Sequence, residues 1–240
     1  MSSLDASPAP DRRSVAGGIA ARGAQILAMF GLIALLLFGG AGTLDWVWGW
    51  LYLAIYLASV AVNAWLLRRS PELVAERGRP ADSPPGWDTA LGGLWALAQF
   101  AALPLAAGLD VRLGWTGGLA VGWHVAGAIV FGAGLALFGW AMVANAYFST
   151  AARLQADRGQ RVCRTGPYRL IRHPGYTGAM LQSLGAPLLL GSLWALVPGL
   201  VAIAAMSTRT RLEDRMLLAG LPGYREYARD VPFRLVPGVW

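Results

Sequence analysis

The chain has 240 residues, of which 56% are hydrophobic and 14% charged, with a formal net charge of +7. Water-soluble domains carry charge on about a quarter of their residues, so this composition excludes an ordinary soluble fold. All twenty basic residues are Arg, and Cys163 is the sole cysteine, which excludes an internal disulfide and a cysteine-cluster metal site. His124 and His173 alone leave too few ligands for a zinc or haem centre.

Residues 1–22 mix Ser, Pro, Ala and Arg without periodicity and read as a disordered tail. The apolar run behind them is long enough to span, which argues against a cleaved signal peptide. Apolar runs at 24–42, 46–67, 90–109 and 119–147 come close to or exceed the roughly 20 residues that cross about 30 Å of hydrocarbon as helix. Trp46, Trp48, Trp50 and Tyr52 open the second run as an expected interfacial belt. Gly118 and Gly122 place small residues four apart at the start of the fourth.

Beyond a polar hinge, 177–190 and 193–206 are short apolar arms around a Gly191-Ser192 turn, and Pro198 is expected to kink the second arm. Residues 209–240 are amphipathic and basic. The expectation is an all-α, polytopic membrane helix bundle of five to six membrane segments, the last two a helical hairpin. It divides into a tail at 1–22, transmembrane helices at 23–147 and a C-terminal region at 148–240.

The arginines orient this bundle. Crossing at each run places nineteen of the twenty on one face, in the tail, the 68–88 loop, the 148–175 segment and the C-terminal stretch; Arg112 alone falls opposite. Positive loops stay cytoplasmic, and an Arg at a helix centre costs roughly 2.5–3.5 kcal/mol on insertion scales. Both termini and the hinge are therefore expected on the cytoplasmic side, with the inner membrane of a bacterium as the setting. Topology accounts for the positive charge without nucleic acid.

The hinge reads Arg164-Thr165-Gly166-Pro167-Tyr168-Arg169-Leu170-Ile171-Arg172-His173-Pro174-Gly175-Tyr176. Pro167 and Pro174 push the residues before them toward extended backbone, and Pro174 is placed to open a helix. Non-helical backbone near a membrane needs protein or water to satisfy it, and a ligand pocket provides both. A plain basic loop between helices is the alternative at this point. Tyr168 and Tyr176 could hold a cation on their ring faces or anchor the interface. Arg209 and Glu213 lie four apart and share a helix face. They are either a surface ion pair or a pair of ligand contacts. Asp214 points elsewhere and reads as structural. His124, inside the fourth run, reads as an interhelical hydrogen bonder. Gly132-Ala133-Gly134 lies within a span, so it is packing and not a dinucleotide fingerprint.

Gly-x-Tyr, then Arg-His-Pro-x-Tyr-x-Gly, a hairpin, Arg-x-x-x-Glu-acidic, and the tail Gly223-Tyr224-Arg225-Glu226-Tyr227 form one ordered pattern over roughly 155–237. It is similar to the isoprenylcysteine carboxyl methyltransferase family, with a looser likeness to phospholipid methyltransferases. The resemblance implies that 148–240 is the catalytic region, with a cytoplasmic C-terminal pocket for S-adenosylmethionine and a lipid-like or prenylated acceptor drawn from the bilayer. It implies cofactor contacts at Gln155, Gln160, Arg161, Val162, Cys163, Tyr168, His173, Pro174, Gly175, Tyr176 and Glu213. Arg209 would orient the acceptor. Gln160 stands where the family carries a histidine, and Asp214 where it has a second glutamate. The acceptor group would be a carboxylate. Phospholipid N-methylation, a membrane reductase using NADPH in the manner of sterol reductases, and a scaffold without activity are the competing readings.

Overall fold

The computed structural model describes residues 12–68, 74, 84–149 and 151–240, and among them it is helical with no strand. The first eleven residues of the expected tail and most of the 68–88 loop, including Arg69, Arg77 and Arg79, lie outside the described residues. The helices are α1 (Arg12–Ala41), α2 (Val47–Leu67), α3 (Gly86–Leu113), α4 (Val121–Ala144), α5 (Pro174–Leu190), α6 (Leu196–Gly220) and a short α7 (Tyr224–Asp230). Four of them, α1 from Ala16 and α2 to α4 in full, are long and apolar enough to cross a membrane. Helix α1 already begins at Arg12, so part of the stretch read as tail is helical. Alanines at 16, 20, 21 and 24 supply the strongest helix former.

The core gathers Ile33, Leu37 and Phe38 of α1, Tyr52 and Leu53 of α2, Leu103 and Ala107 of α3, and Phe131 and Leu135 of α4. The expected aromatic belt is largely internal. Tyr52 is 1% exposed and stacks on Phe131 at 4.9 Å, Trp46 is 7% exposed, and Trp48 lies flat on His124 at 4.1 Å. Trp50 alone of the four is well exposed. These rings bury more apolar area against neighbours than they could at a headgroup boundary. His124 Nδ1 sits 2.8 Å from the Leu189 carbonyl of α5, which holds the far end of the hairpin to α4.

Glycines bring α4 and α5 together, though not the pair the spacing suggested, since a Cβ on Gly122 would meet nothing. Gly127 and Gly134 of α4 face Gly185 and Gly178 of α5 with backbone against backbone. A Cβ at Gly134 would lie 2.7 Å from the Gly178 carbonyl, and one at Gly178 equally close to that of Gly134. Backbone cannot yield as a side chain can. Gly178→Ala is therefore expected to destabilise the protein by about 1–3 kcal/mol, read as a lowered midpoint of thermal unfolding in detergent. Gly132→Ala, which faces open space, is expected to leave the midpoint unchanged or raise it slightly by its helix propensity.

Helix α3 has a π-helical turn at Ala98–Ala102, just before Pro104. Proline lacks an N–H and crowds the preceding turn, and a widened turn is one way to absorb it. Gln99 in that turn is 2% exposed and accepts a hydrogen bond from Ser183 of α5 at 2.6 Å. The hairpin turn forms where expected, with Gly191 left-handed at φ +77°. Asp110, buried, receives the Ser192 hydroxyl and, at 2.7 Å, the Thr116 amide. Pro198 falls in the first turn of α6, where a missing N–H costs nothing. The second arm is thus one 25-residue helix that carries its polar half, from Thr208 on, beyond the apolar stretch.

Candidate functional site

The segment between α4 and α5 folds on its own side chains. Asn145 Oδ1 accepts from the Tyr147 backbone amide at 2.9 Å, and Gln155 Nε2 donates to the Tyr147 carbonyl at 2.8 Å. The Gln160 side-chain oxygen accepts from the Gln155 amide at 2.7 Å, and the Tyr147 hydroxyl donates to the Gly159 carbonyl at 3.0 Å. The hinge follows. Gly166 is left-handed at φ +57° and packs on Trp140; a Cβ there would come within 2.9 Å of the indole nitrogen, so Gly is demanded twice over. Pro174 opens α5 at its first turn, as its fixed φ favours.

Asp214 is the anchor of the region. It is fully buried, and its two oxygens collect five contacts from four side chains. Arg172 binds it in a fork through Nε at 2.9 Å and Nη2 at 3.1 Å, and Arg234 Nε reaches it at 2.8 Å. The Tyr224 hydroxyl donates at 2.9 Å, and His173 Nε2 lies 3.2 Å away. Burial alone would raise its carboxyl. The hydrogen bonds from His173, Arg172 and Arg234 outweigh that and hold it well below the usual carboxylate range. Residues 231–240 strap the hinge from outside: the Arg172 and His173 amides donate to the Phe233 and Arg234 carbonyls at 3.0 and 2.9 Å, and the Thr177 hydroxyl to Leu235 at 2.9 Å. Arg172 Nη1 adds bonds to Val231 and Pro232.

Around this anchor opens a cleft of about 100 Å³ with a wide solvent mouth. Gln155, Gln160, Arg161, Val162, Cys163, Tyr168, His173, Gly175, Tyr176 and Glu213 all line it. Of the cofactor positions implied by resemblance only Pro174 does not. It is buried, and its part is to start the helix. The Tyr176 hydroxyl donates to Glu213 across the hairpin, and the Tyr176 ring lies parallel to His173 at 5.7 Å. Tyr168 faces Asn145, whose amide lies 3.4 Å from its hydroxyl. Burial pushes the Tyr168 phenol up, and burial with the adjacent Asp214 does the same to Tyr224, so both stay protonated at neutral pH.

Arg209 is not on the lining. It is 5% exposed and sits behind Tyr176, its guanidinium 5.4 Å from the ring centroid, with Nε donating to Asp88 of α3 at 2.7 Å. The expected surface ion pair is thus replaced at Arg209 by a buried guanidinium held by Asp88. Sequence reading also missed Asn145, Phe148 and Tyr224 on the lining. Tyr224 carried a signal in the Gly-Tyr-Arg-Glu-Tyr tail; the other two carried none.

Residues 123–220 match the phospholipid methyltransferase family. The matched family is one of methyltransferases. The match runs from the start of α4 to the end of α6, so it contains the hinge, the hairpin and both Glu213 and Asp214. The cobalt-zinc-cadmium resistance protein CzcN of Cupriavidus metallidurans is 34% identical over 83 residues, 34% of this chain. The aligned stretch spans 38% of that relative's length. Among the described residues no group of three or more His, Cys, Asp or Glu could hold a metal ion. Four apolar helices of spanning length accompany this match.

Proposed function

We propose that the protein transfers a methyl group from S-adenosylmethionine to a lipid-like acceptor at the cytoplasmic face of a membrane. The acceptor group on this reading is a carboxylate of the isoprenylcysteine kind. The observation that carries it is the convergence of Tyr168, His173, Gly175, Tyr176 and Glu213 on one cleft at the polar end of the bundle. The lining suits the ligand. Tyr168 offers a ring face to a cation. Glu213 offers a carboxylate to hydroxyls or an amine. Gly175 lets the Phe148 ring pack close to the start of α5, where a Cβ would stand only 2.7 Å from its edge.

Bound S-adenosylmethionine would supply an electrophilic methyl on a sulfonium. The residues have little proton chemistry to perform, because an ionised carboxylate is already a nucleophile. Their work is orientation, which can supply several kcal/mol of a barrier. Arg172, Arg234 and Tyr224 fix Asp214, and through it the hinge; Glu213 fixes Tyr176. Arg209, on this reading, orients the acceptor from behind the Tyr176 ring. The match to phospholipid methyltransferases favours a second reading, in which the acceptor is a lipid amine.

Calorimetry with the purified protein tests the proposal. The native protein is expected to bind S-adenosylmethionine. Glu213→Ala and Tyr168→Ala are each expected to weaken it by about tenfold or more, a loss of at least one charge-assisted contact. Retention of native affinity in both variants, or binding of NADPH in place of S-adenosylmethionine, would sink it. Methyl esters against methylated amines among lipids labelled on overexpression then separate the two acceptors.

A further inference from the structure

We infer that Asp88 of α3 is a positioning residue of this site, a strut that fastens Arg209 and the pocket-lining segment to one carboxylate. The inference rests on the methyltransferase reading for its ligand and on geometry alone for its mechanics. On sequence, Asp88 is only an acidic residue in a first helical turn, where it would complement the helix dipole from solvent. The fold does something else with it. The residue is 3% exposed, and a carboxylate taken out of water needs partners on both oxygens. Oδ1 accepts from Arg209 Nε at 2.7 Å, and Oδ2 accepts from the Ala152 amide at 3.0 Å.

Both partners adjoin the cleft without lining it. Ala151 and Arg153, on either side of Ala152, are on its lining. Arg209 covers the Tyr176 ring, and Tyr176 donates to Glu213. One line of contacts thus runs from Ala152 through Asp88, Arg209 and Tyr176 to Glu213. Gly92, one turn along α3, lies beside the Arg209 guanidinium, where a Cβ would make an ordinary contact 3.7 Å from Nη1. Helix α3 lies outside the residues that match a family, so this role is not one that the match assigns.

Four proteins test the strut: native, Asp88→Asn, Arg209→Gln, and both changes together. In Asp88→Asn one amide oxygen must serve two donors, or the new amide N–H must face Arg209 Nε–H, so one partner is released. With both changes the bonding closes again. The oxygen of the amide introduced by Asp88→Asn can take the Ala152 N–H, while its nitrogen donates to the side-chain oxygen introduced by Arg209→Gln. Two readouts are used, S-adenosylmethionine affinity and backbone hydrogen exchange over residues 151–155. Asp88→Asn is expected to weaken affinity by about tenfold and to speed exchange in that segment, and the double variant to recover to within about threefold of native in both. Native behaviour of Asp88→Asn, or a double variant no better than the worse single, overturns the inference. Should the native protein bind no S-adenosylmethionine, the methyltransferase reading falls, and exchange alone still decides the strut. If Asp88→Asn cannot be recovered folded, Asp88→Glu takes its place. It keeps the charge but displaces both oxygens by one methylene, and native exchange over 151–155 in that variant counts against the strut.

Discussion

Asp214→Ala is expected to destabilise the protein by about 3–5 kcal/mol, the cost of leaving a buried charge without its counter-ion. Here Arg172, 7% exposed, loses both arms of its fork, and Arg234 and Tyr224 lose their acceptor. These bonds tie α6 to the hinge, to α7 and to the 231–240 strap. The C-terminal region is therefore expected to loosen first. Limited proteolysis beyond residue 220 would show it as early cutting, alongside a lowered unfolding midpoint. Asp230→Ala provides the contrast. Its pair with Arg164 at 2.7 Å is about half exposed on both sides, and such pairs contribute about 0–1 kcal/mol.

The same carboxylate sets an acid limit. Its folded-state value is depressed, so its stabilisation is fully present above the unfolded aspartate value of about 3.9 and is lost as pH falls through the folded value. Stability of the native protein is thus expected to decline more steeply below about pH 4 than that of Asp214→Asn, which has no such proton to take up. Parallel decline in the two would remove Asp214 from the account.

What the sequence disclosed and what it withheld divide along physical lines. Apolar runs are properties of single segments against a membrane, so the spanning helices were readable. The hinge residues were readable for a similar reason. Gly166, Pro167, Pro174 and Gly175 act on backbone within a residue or two of themselves. Contacts between distant segments left no local trace. Asp88 is 121 positions from Arg209, and no periodicity in either helix points to the other. Asp214 read as merely structural beside Glu213. That was the right kind of role, but nothing in the chain announced that four side chains from three elements would converge on it. The glycines show the same limit. Gly122 and Gly127 look alike in a Gly-rich run, and only the approach of α5 tells which one is backbone-packed. Trp48 and Tyr52 misled because amphipathic rings suit an interface and a core equally, and the choice between them lies with His124 and Phe131.

Gly175→Val should close the cleft while leaving the bundle intact. A Cβ at this position would stand 2.7 Å from the edge of the Phe148 ring, and that ring is on the cleft lining. Backbone is not what it meets, so the fold need not break; the ring must move, and the open direction is into the space that a ligand would use. Phe148 is also held edge-on against Phe138 at 5.3 Å, which resists movement the other way. S-adenosylmethionine affinity is expected to fall by about a hundredfold, roughly 2.7 kcal/mol, with a thermal midpoint close to native. Removing the ring by adding Phe148→Ala to Gly175→Val is expected to return most of the affinity, since contacting residues couple by about 0.5–3 kcal/mol. A plain packing defect at the start of α5 would behave differently. It would lower the midpoint with the affinity, and deleting Phe148 would worsen both by enlarging the hole. The sign of the second substitution therefore decides whether Gly175 is there for the helix or for the ligand.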